Sequence, residues 1–324
     1  MSRLAVLTSG GDAPGMNAAI RAVVRGGIAE GFEMVGVRNG FSGLIGGDLQ
    51  PLGQRDVGGI IDRGGTFLGS SRCQAMHEAS GQQAAIDSLR KRAIDGLVVI
   101  GGNGSQAGAL ELSRRGFPVV GITSTIDNDV PGTDVSIGAT TALEVAVEAI
   151  DRLRVTAASH RRAFLVEVMG RKCGYLALLA GIASGAEVTV IPEVPTSMEE
   201  IAQELLDSEH RGKKHAIVVV AEGAFSDADG IAQWFGQHRD RLGFELRVSR
   251  LGHIHRGGSP CVFDRMIATQ LGAAAAAEFA QGRSGLLLGL RQGLPLASPL
   301  ASAIATEEKR LDLDLVTLAK AMSR

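Results

Sequence analysis

Two kinds of hydrophobic pattern alternate along most of the chain. Short runs rich in Val, Ile and Leu predict strands, namely RLAVLTS, FEMVGVR, GLVVIGG, FPVVGIT, AFLVEVM, EVTVIPE, HAIVVVAE, FELRVSRLG and GLLLGL. Between them lie helix-length amphipathic segments, which include GMNAAIRAVVRGGIAE, QQAAIDSLRKRA, SQAGALELSRRG, GATTALEVAVEAIDRLRVTAASH, SMEEIAQELLDSEHRGK and CVFDRMIATQLGAAAAAEFAQG. Strands that are apolar on both faces and separated by helices are typical of parallel sheets covered on both sides. The pattern therefore predicts an α/β fold of mainly parallel sheets sandwiched by helices.

The length of the chain indicates more than one lobe. Its 324 residues exceed what a single hydrophobic core usually supports, so we expect two lobes. The loop STIDNDVPGTDVSIGATT leads into the longest helix candidate and puts the first lobe boundary near Gly138. Ligands of open α/β sheets bind beyond the carboxyl ends of the strands, which is where the glycine-rich turns fall. We therefore expect both lobes to line one cleft that holds the active site.

Charge and cysteine content argue against several classes of function. Lys and Arg total 33, Asp and Glu total 35, and the net charge of -2 does not indicate nucleic-acid or acidic-membrane binding. Cys73, Cys173 and Cys261 are far apart and form no C-x-x-C pair, which is typical of a reduced cytosolic protein. The N-terminus does not resemble a signal peptide, and the longest apolar stretches are too short to span a bilayer. A cytoplasmic protein is expected.

Three glycine-rich turns follow predicted strands: TSGGDAPGMN from Thr8, RGGTFLGSSR from Arg63 and GGNGSQAG from Gly101. A helix that begins after such a turn presents backbone N–H groups and its positive dipole end to an anion. Three such turns favour a polyphosphate site, although none has the Lys and Ser or Thr of a Walker loop. GNGSQA also fits a dinucleotide fingerprint, which stays open as the alternative. That fingerprint needs one acidic residue after the next strand, whereas STIDND has two.

Acidic and basic residues near the strand ends suggest phosphoryl transfer. Asp127 and Asp129 lie two residues apart and would face the same way in an extended segment, although IDND is also compatible with a simple Asx turn. Several arginines aimed at one cleft would make the bidentate contacts that phosphate recognition favours. The candidates are Arg72, Arg162, Arg171, Arg247 and Arg256. A carboxylate base, backbone N–H groups, a cation and arginines are the parts that phosphoryl transfer requires.

LGHIHRGGSP places two histidines beside an arginine. His253 and His255 could ligate a metal, but no further Cys or carboxylate accompanies them locally. A phosphate-facing His–Arg pair with Arg256 is therefore favoured over a zinc site.

The motifs TSGGDAPGMNAAIR, RGGTFLGSSR, TIDND, VEVMGRKCGY, AEGA and LGHIHRGGSP resemble the phosphofructokinase family, in that order, from Leu4 to about Gly289. The length is similar to that of the short bacterial form. The resemblance implies Mg²⁺-assisted transfer of a phosphoryl group from ATP to the 1-hydroxyl of fructose 6-phosphate, giving fructose 1,6-bisphosphate, the committed step of glycolysis. It also implies homotetramers. Residues 1–138 with about 255–304 would form a larger, nucleotide-binding lobe, and residues 139–254 with about 305–324 a smaller, sugar-phosphate-binding lobe.

The resemblance assigns roles to individual positions, with Asp127 as the catalytic base. The residues that match catalytic positions are Gly11, Arg72, Thr125, Asp127, Asp129 and Arg171. Those that match the sugar-phosphate site are Thr125, Ile126, Asp127, Arg162, Met169, Gly170, Arg171, Glu222, Arg247, His253 and Arg256, with Arg162 and Arg247 lent by the adjacent subunit. Those that match the nucleotide site are Gly11, Arg72, Cys73, Gly102, Asn103, Gly104, Ser105 and Gly108.

A second set of positions resembles the family's effector site, where ADP or phosphoenolpyruvate binds between subunits. It comprises Arg21, Arg25, Arg154, Glu187, Arg211, Lys213, Lys214 and His215. Arg21 and Arg25 are one turn apart on one predicted helix face. The run HRGKKH is alternatively an exposed basic turn. The effector and the sign of its effect stay open.

The chain departs from the family pattern on the donor side. Asn103 stands where the family has an Asp that helps to hold Mg²⁺, and an amide lacks the negative charge that this cation prefers. Metal binding is therefore expected to be weakened at Asn103, with Asp129 as a further candidate ligand. Ser124 replaces a Gly, and His255 replaces a Gln. Pyrophosphate-using members typically have a second Asp and a Lys where this chain has Gly104 and Ser124, so ATP is favoured as donor. A pyrophosphate-dependent enzyme and a non-catalytic regulatory subunit remain the alternatives.

Overall fold

The computed structural model describes residues 2–160, 162–213, 215–243, 245–305 and 309–323. The chain forms two compact units. The first comprises Met1–Thr141 with Arg256–Lys309, and the second comprises Ala142–His255 with Arg310–Arg324. The lobe boundary expected near Gly138 falls three residues before Thr141, where the first segment of the first unit ends. The assignment of one ligand to each lobe remains a prediction.

The first unit is built on a seven-stranded sheet with helices on both sides. Its elements are β1 Arg3–Thr8, α1 Met16–Ala29, β2 Glu33–Val37, α2 Gly40–Gly46, β3 Leu49–Leu52, a 3-10 helix Gln74–His77, α3 Ala79–Lys91, β4 Gly96–Gly101, α4 Asn103–Arg114, β5 Val119–Thr123, α10 Val262–Ala280, β10 Leu286–Arg291, β11 Leu294–Pro299 and α11 Leu300–Ala305. Helix α5, Ala139–His160, begins here and continues into the second unit. The strand order is β11-β10-β5-β4-β1-β2-β3.

The five central strands of this sheet are parallel, and only the two edge strands, β3 and β11, are antiparallel. The α/β prediction is thus confirmed. The hydrophobic pattern did not predict the edge strands, which are short or largely exposed and carry prolines, as edges tolerate. In the register, Thr8 pairs with Ile100 and Gly101 pairs with Thr123, so β1, β4 and β5 end at the same level. The loops after these three strands therefore share one edge of the sheet.

Small residues allow two long helices to pack closely on this sheet. The alanine run at 273–277 lies within α10, which packs against α1. A Cβ on Gly272 would lie 2.6 Å from the Cβ of Ala22 and 2.8 Å from the carbonyl oxygen of Ala19. The low-complexity appearance of this segment therefore has a packing explanation.

The second unit contains a four-stranded sheet, all parallel, in the order β7-β8-β6-β9. Its elements are β6 Ala163–Val168, α6 Tyr175–Ser184, β7 Val188–Val190, α7 Met198–His210, β8 Ala216–Ala221, α8 Ala228–Gln237, α9 Arg239–Leu242, β9 Leu246–Arg250, a 3-10 helix Gly252–Arg256 and α12 Asp314–Ser323. The last residue of this 3-10 helix, Arg256, begins the second segment of the first unit. Phe235, on α8, is fully buried among the apolar residues of these strands and α7. Within the residues described, no helix is long and apolar enough to cross a membrane.

Candidate active site

A cavity of about 930 Å³ lies in the first unit, beyond the carboxyl ends of β1, β4 and β5. All three glycine-rich turns or the segments that follow them contribute to its wall. Its lining includes Gly10, Gly11, Ser71, Arg72, Cys73, Gly102, Asn103, Gly104, Ser105, Gly108, Ser124, Thr125, Asp127, Asp129 and Arg256. The cavity thus brings together all eight nucleotide-site candidates and both carboxylates of TIDND.

Close backbone packing explains why the turns around this cavity need glycine. Gly10 has a left-handed φ of 84° and lies against Ser105. A Cβ on Gly101 would lie 2.5 Å from Ser105 Oγ and 2.6 Å from the carbonyl oxygen of Ser9. A Cβ on Gly11 would lie 2.6 Å from Nη1 of Arg256, whose guanidinium donates to the carbonyl oxygen of Asp12 at 2.6 Å. The glycines therefore let the first and third turns and an arginine approach within van der Waals distance.

Asn17 holds the second glycine-rich turn in place. Its side-chain amide donates to the carbonyl oxygens of Arg63 and Gly64, both at 3.1 Å, and accepts from the N–H of Phe67 at 2.7 Å. Ser70 Oγ donates to the carbonyl oxygen of Gly10 at 2.6 Å, which links this turn to the first one. Because Asn17 is buried on α1, these bonds fix the segment that leads to Arg72.

The TIDND segment is bent at Asn128 rather than extended. The two carboxylates were expected to face the same way only if the segment was extended. Asn128 has a left-handed φ of 49°, and its buried amide donates to the carbonyl oxygen of Asp134 at 3.2 Å and accepts from the N–H of Ser136 at 2.9 Å. The N–H of Asp127 donates to Thr125 Oγ1 at 3.3 Å. Asp127 and Asp129 nevertheless both line the cavity. The amide between them is structural, as the Asx-turn interpretation suggested.

Asn103 contacts the same segment from the start of α4. Its Nδ2 lies 3.4 Å from the backbone carbonyl oxygen of Asp129, which also accepts from the N–H of Lys309 at 3.1 Å. Only an amide can donate here, because a carboxylate oxygen would face the carbonyl oxygen directly. Lys309 was not expected near this site, since nothing in its local sequence indicates it.

The cavity also extends beyond the residues that the motifs identified. Further along, it is lined by Phe41, Met76, Gln82 and Leu110, and a Cβ on Gly108 would lie 2.9 Å from the ring of Phe41. Gln82 is held by a bond from Arg115 and by its own bond to the carbonyl oxygen of Met76. These residues come from α2, the first 3-10 helix, α3 and α4, so only their tertiary arrangement makes them neighbours.

In the second unit, β6 and β8 bring two of the motifs together. Met169, Gly170 and Arg171 follow β6, and Glu222 follows the neighbouring β8. The N–H of Glu222 donates to Val168 at 2.9 Å, and the N–H of Gly223 donates to the carbonyl oxygen of Gly170 at 3.1 Å. These sugar-phosphate candidates therefore share one sheet edge.

Arg162 and Arg247 lie elsewhere in the second unit. Arg162 immediately precedes β6, and Arg247 is the second residue of β9, opposite Phe164. Both side chains are exposed, and both residues lie at the amino ends of their strands. The carboxyl end of β6 leads to Arg171, and the carboxyl end of β9 leads to the exposed His253. A six-residue strand spans about 20 Å. Within one chain, Arg162 and Arg247 are therefore separated from Arg171 by the length of a strand.

His255 is also not a surface ligand. Its side chain is fully buried, and Nδ1 lies 2.6 Å from the carbonyl oxygen of Gly252. Ile126 has a fully buried side chain as well, so that only its backbone could face a ligand.

Comparisons with known proteins identify the family of this chain. The phosphofructokinase family model matches residues 3–279. The chain belongs to the phosphofructokinase family. It is 51% identical to the ATP-dependent 6-phosphofructokinase of Streptococcus pyogenes over 301 residues, which covers 93% of this chain and 88% of that protein.

Solved phosphofructokinase structures share the fold. The enzyme from Saccharomyces cerevisiae is 35% identical, with a TM-score of 0.84 over 100% of this chain, and that of Pichia pastoris in the T-state is 35% identical, with a TM-score of 0.87 over 99%. This chain spans 47% and 38% of those two longer chains. The pyrophosphate-dependent phosphofructokinase of Marinobacter aquaeolei has a TM-score of 0.86 over 96% of this chain and 86% of its own, but is only 23% identical. That last likeness shows the fold alone.

The phosphofructokinase effector positions fall in two places. Arg21 and Arg25 lie on α1 of the first unit, and Arg154, Glu187, Arg211, Lys213 and His215 lie in the second. Lys214 lies outside the described residues. Glu187 is buried, and its carboxylate accepts from Lys213 Nζ at 3.0 Å and from the N–H of Ile217 at 2.7 Å. Lys213 is therefore half-buried in an ion pair, whereas Arg211 is exposed, as a basic turn would be.

The donor atoms around Asn103 are compatible with a divalent cation bound together with phosphates. In the described part of the chain, no three His, Cys, Asp or Glu residues cluster as a closed metal site. Asp127, Asp129 and Asn103, whose side chains all carry oxygen atoms, line this cavity together. Mg²⁺ is commonly bound by one or two carboxylates plus substrate phosphates, so this set fits such an ion.

Proposed function

We propose that this protein is an ATP-dependent 6-phosphofructokinase, which transfers a phosphoryl group from ATP to the 1-hydroxyl of fructose 6-phosphate. The observation that carries the proposal is that Asp127 lines the same cavity as the glycine-rich turns and Arg72. A base, a polyphosphate cradle and a cation in one cavity are what phosphoryl transfer requires. The identity of 51% to a protein named ATP-dependent 6-phosphofructokinase supports the same reaction.

The residues divide the chemistry among them. Asp127 accepts the proton of the sugar hydroxyl. Thr125 Oγ1 accepts a hydrogen bond from the N–H of Asp127 and so supports the loop that carries this carboxylate. The backbone around Gly11 and the start of α4 bind the donor phosphates, with Arg72 beside them. Arg171 stabilises the charge that develops on the transferring group, as its match to the family implies.

Asn103 and Asp129 are the residues that would hold Mg²⁺ with the nucleotide. Bound there, the ion would neutralise charge on the donor phosphates. The neutral amide of Asn103 makes this site weaker than one with a carboxylate.

ATP is the proposed donor, and pyrophosphate is the second candidate. Among the described residues, no atom beyond the neighbouring residues and backbone of its own helix lies within 4 Å of a Cβ built on Gly104, and this opening suits a nucleotide. Ser124 is buried and donates to the carbonyl oxygen of Ile137, and it carries no charge for a pyrophosphate. A non-catalytic regulatory subunit is a weaker candidate, because Asp127, Asp129 and Arg171 are all retained.

We propose that the first unit binds the nucleotide and that Met169, Glu222 and His253 of the second contribute to sugar-phosphate binding. The amino-end location of Arg162 and Arg247, away from Arg171, supports a role for these two in the site of an adjacent subunit. A homotetramer is proposed on that basis and from the family.

An allosteric site is proposed at the Glu187–Lys213 pair. Its basic neighbours suit ADP or phosphoenolpyruvate, which are the candidate effectors. The remaining members would be Arg21, Arg25, Arg154, Arg211, Lys214 and His215. A cytoplasmic location is proposed because no disulfide joins the described residues Cys73, Cys173 and Cys261, as is typical of a reducing compartment.

A coupled assay with fructose 6-phosphate tests the proposal by comparing ATP with pyrophosphate over a Mg²⁺ series. Turnover is expected with ATP, and Asp127→Asn should lower kcat by about 1000-fold while fructose 6-phosphate still binds in calorimetry. Asp87→Asn, an exposed change of equal charge, should leave kcat unchanged. Absence of turnover with every nucleotide, or full activity of Asp127→Asn, would reject the proposal.

A further inference from the structure

Gln106 is a fully buried amide beside the candidate active site. It lies in the first turns of α4, and Nε2 is within 3.2 Å of the carbonyl oxygen of Val99 and 3.0 Å of those of Gly101 and Ile122. Three carbonyl oxygens surround this end of the side chain, so it must be the NH₂ rather than the oxygen. Gln106 therefore bridges the carboxyl ends of β4 and β5.

The bridge lies directly behind the two segments that would bind the reactants. The carbonyl oxygen of Gly101 accepts from Gln106 and also, at 3.1 Å, from the N–H of Ser124. A Cβ on the next residue, Gly102, would lie 3.3 Å from Cβ of Thr125. The loop at Gly102–Ser105 and the segment at Thr125–Asp127 thus meet where Gln106 holds their strands.

Stability alone does not explain why a glutamine lies at position 106. Its Oε1 accepts no hydrogen bond from any described residue, and a buried polar atom without a partner is destabilising. That oxygen also occupies the space above Gly121, where any Cβ would overlap it. An apolar side chain of similar volume would fill this space without the unsatisfied Oε1, but it would not donate to the three carbonyl oxygens.

We propose that Gln106 is a positioning residue for phosphoryl transfer. It fixes the spacing between the donor-binding loop Gly102–Ser105 and the segment that carries Asp127. The inference rests on the proposed function, because it assigns those two segments to donor and acceptor. Gln106 contacts neither reactant, and its effect is transmitted through the carbonyl groups of Gly101 and Ile122.

Gln106→Met tests the proposal, since it retains the length of the side chain and removes both N–H groups. A displacement of reacting groups by a fraction of an ångström lowers the rate of the chemical step, so kcat should fall about tenfold or more. The KM values for ATP and fructose 6-phosphate should change by less than about threefold, because each segment remains intact. Unchanged kcat in the folded variant would overturn the proposal.

Gln106→Glu supplies an independent test with a pH profile. An ionised carboxylate would face three carbonyl oxygens, whereas the protonated acid can donate to one of them, so burial should raise its pKa. Activity should approach the wild-type value at low pH and fall as pH rises, with no such limb in the wild-type profile. A Gln106→Glu profile parallel to the wild type would contradict the positioning role.

Thr133→Val is the matched control. Thr133 is likewise buried and bridges backbone groups, accepting from the N–H of Leu290 at 2.9 Å and donating to Val135 at 2.7 Å, but it does not line the cavity. It should lower the melting temperature without changing kcat. Gly121→Ala, which displaces Oε1 of Gln106, should reproduce the kinetic effect of Gln106→Met even if that variant does not fold.

Amide hydrogen exchange separates this proposal from the proposed function, since it needs no turnover. Gln106→Met or Gly121→Ala should accelerate exchange at residues 101–106 and 122–127 at least about tenfold, while the rest of the first unit is unaffected. Unchanged exchange there would overturn the bridge even in an active enzyme. Altered exchange in a protein that never phosphorylates fructose 6-phosphate would reject the proposed function and with it the catalytic role, leaving only the structural bridge.

Discussion

Asn103 shows how one residue changes the chemistry of a glycine-rich loop. The sequence identified it as an amide in place of a carboxylate, and the structure adds that this amide lies 3.4 Å from the carbonyl oxygen of Asp129. An aspartate at 103 would lose that contact and place a negative oxygen beside the carbonyl, unless a cation lay nearby. The amide therefore contacts the TIDND segment directly, and the weaker cation binding proposed for it would be the cost of that contact.

Asn103→Asp is expected to lower the Mg²⁺ concentration needed for half-maximal activity by about tenfold, because a carboxylate binds this cation more strongly than an amide. The measurement is a Mg²⁺ titration of the ATP-dependent reaction at constant free ATP. Gln237→Glu, an exposed change of equal charge at the end of α8, is the control and should leave the titration unchanged. An unaltered Mg²⁺ requirement in Asn103→Asp would rule out the role given to the amide.

At the scale of single elements, the start of helix α5 is bound by a carboxylate from another helix. Asp264, on the first turn of α10, accepts from the N–H groups of Gly138 and Thr141 at 2.8 and 2.7 Å and from Thr141 Oγ1 at 2.5 Å. Its side chain is fully buried, and burial raises the pKa of Asp264 above 3.8, although the bonds from Thr141 and Gly138 oppose this rise. A carboxylate remote in sequence thus caps a helix whose own start has no acidic residue.

Asp264→Asn should lower the free energy of unfolding by about 2 kcal/mol. The NH₂ group of the new side chain would face a backbone N–H group that donates to the Asp264 carboxylate in the wild type, and that N–H group would lose its acceptor. A raised pKa means that the folded state binds the proton more tightly than the unfolded chain. The stabilisation by Asp264 is therefore complete below pH 3.8 and is partly lost as pH rises through the folded pKa. Urea unfolding between pH 4 and 8 should show the difference between wild type and variant growing toward low pH. A difference that grows toward high pH would contradict the assignment.

At the scale of the whole molecule, the catalytic and sugar-phosphate candidates are distributed over two units, and Arg162 and Arg247 lie at strand ends opposite to Arg171. Their location suits the family's arrangement, in which adjacent subunits share sites. In a two-fold interface, each site would then receive the same residues from its partner.

Hybrid oligomers test this sharing. Asp127→Asn and Arg162→Ser homo-oligomers should each be nearly inactive. After dissociation and reassembly of an equal mixture, activity should recover to about a quarter of the wild-type value, because half of the pairs are mixed and one of their two sites is intact. Native mass spectrometry should confirm that mixed oligomers form. Mixed oligomers that remain inactive would show that each subunit supplies its own Arg162.

The sequence by itself determined the alternation of strands and helices, the three glycine-rich turns and the motifs of the phosphofructokinase family. These features depend on local periodicity and on the backbone freedom of glycine, which can be read over a few residues. The tertiary structure alone decided that Asn128 turns the TIDND segment, that Gln106 bridges β4 and β5, and that Phe41 extends the cavity. It also separated Arg162 from Arg171. Such contacts depend on strand order and register, which bring together residues far apart in the chain and leave no mark on the local pattern.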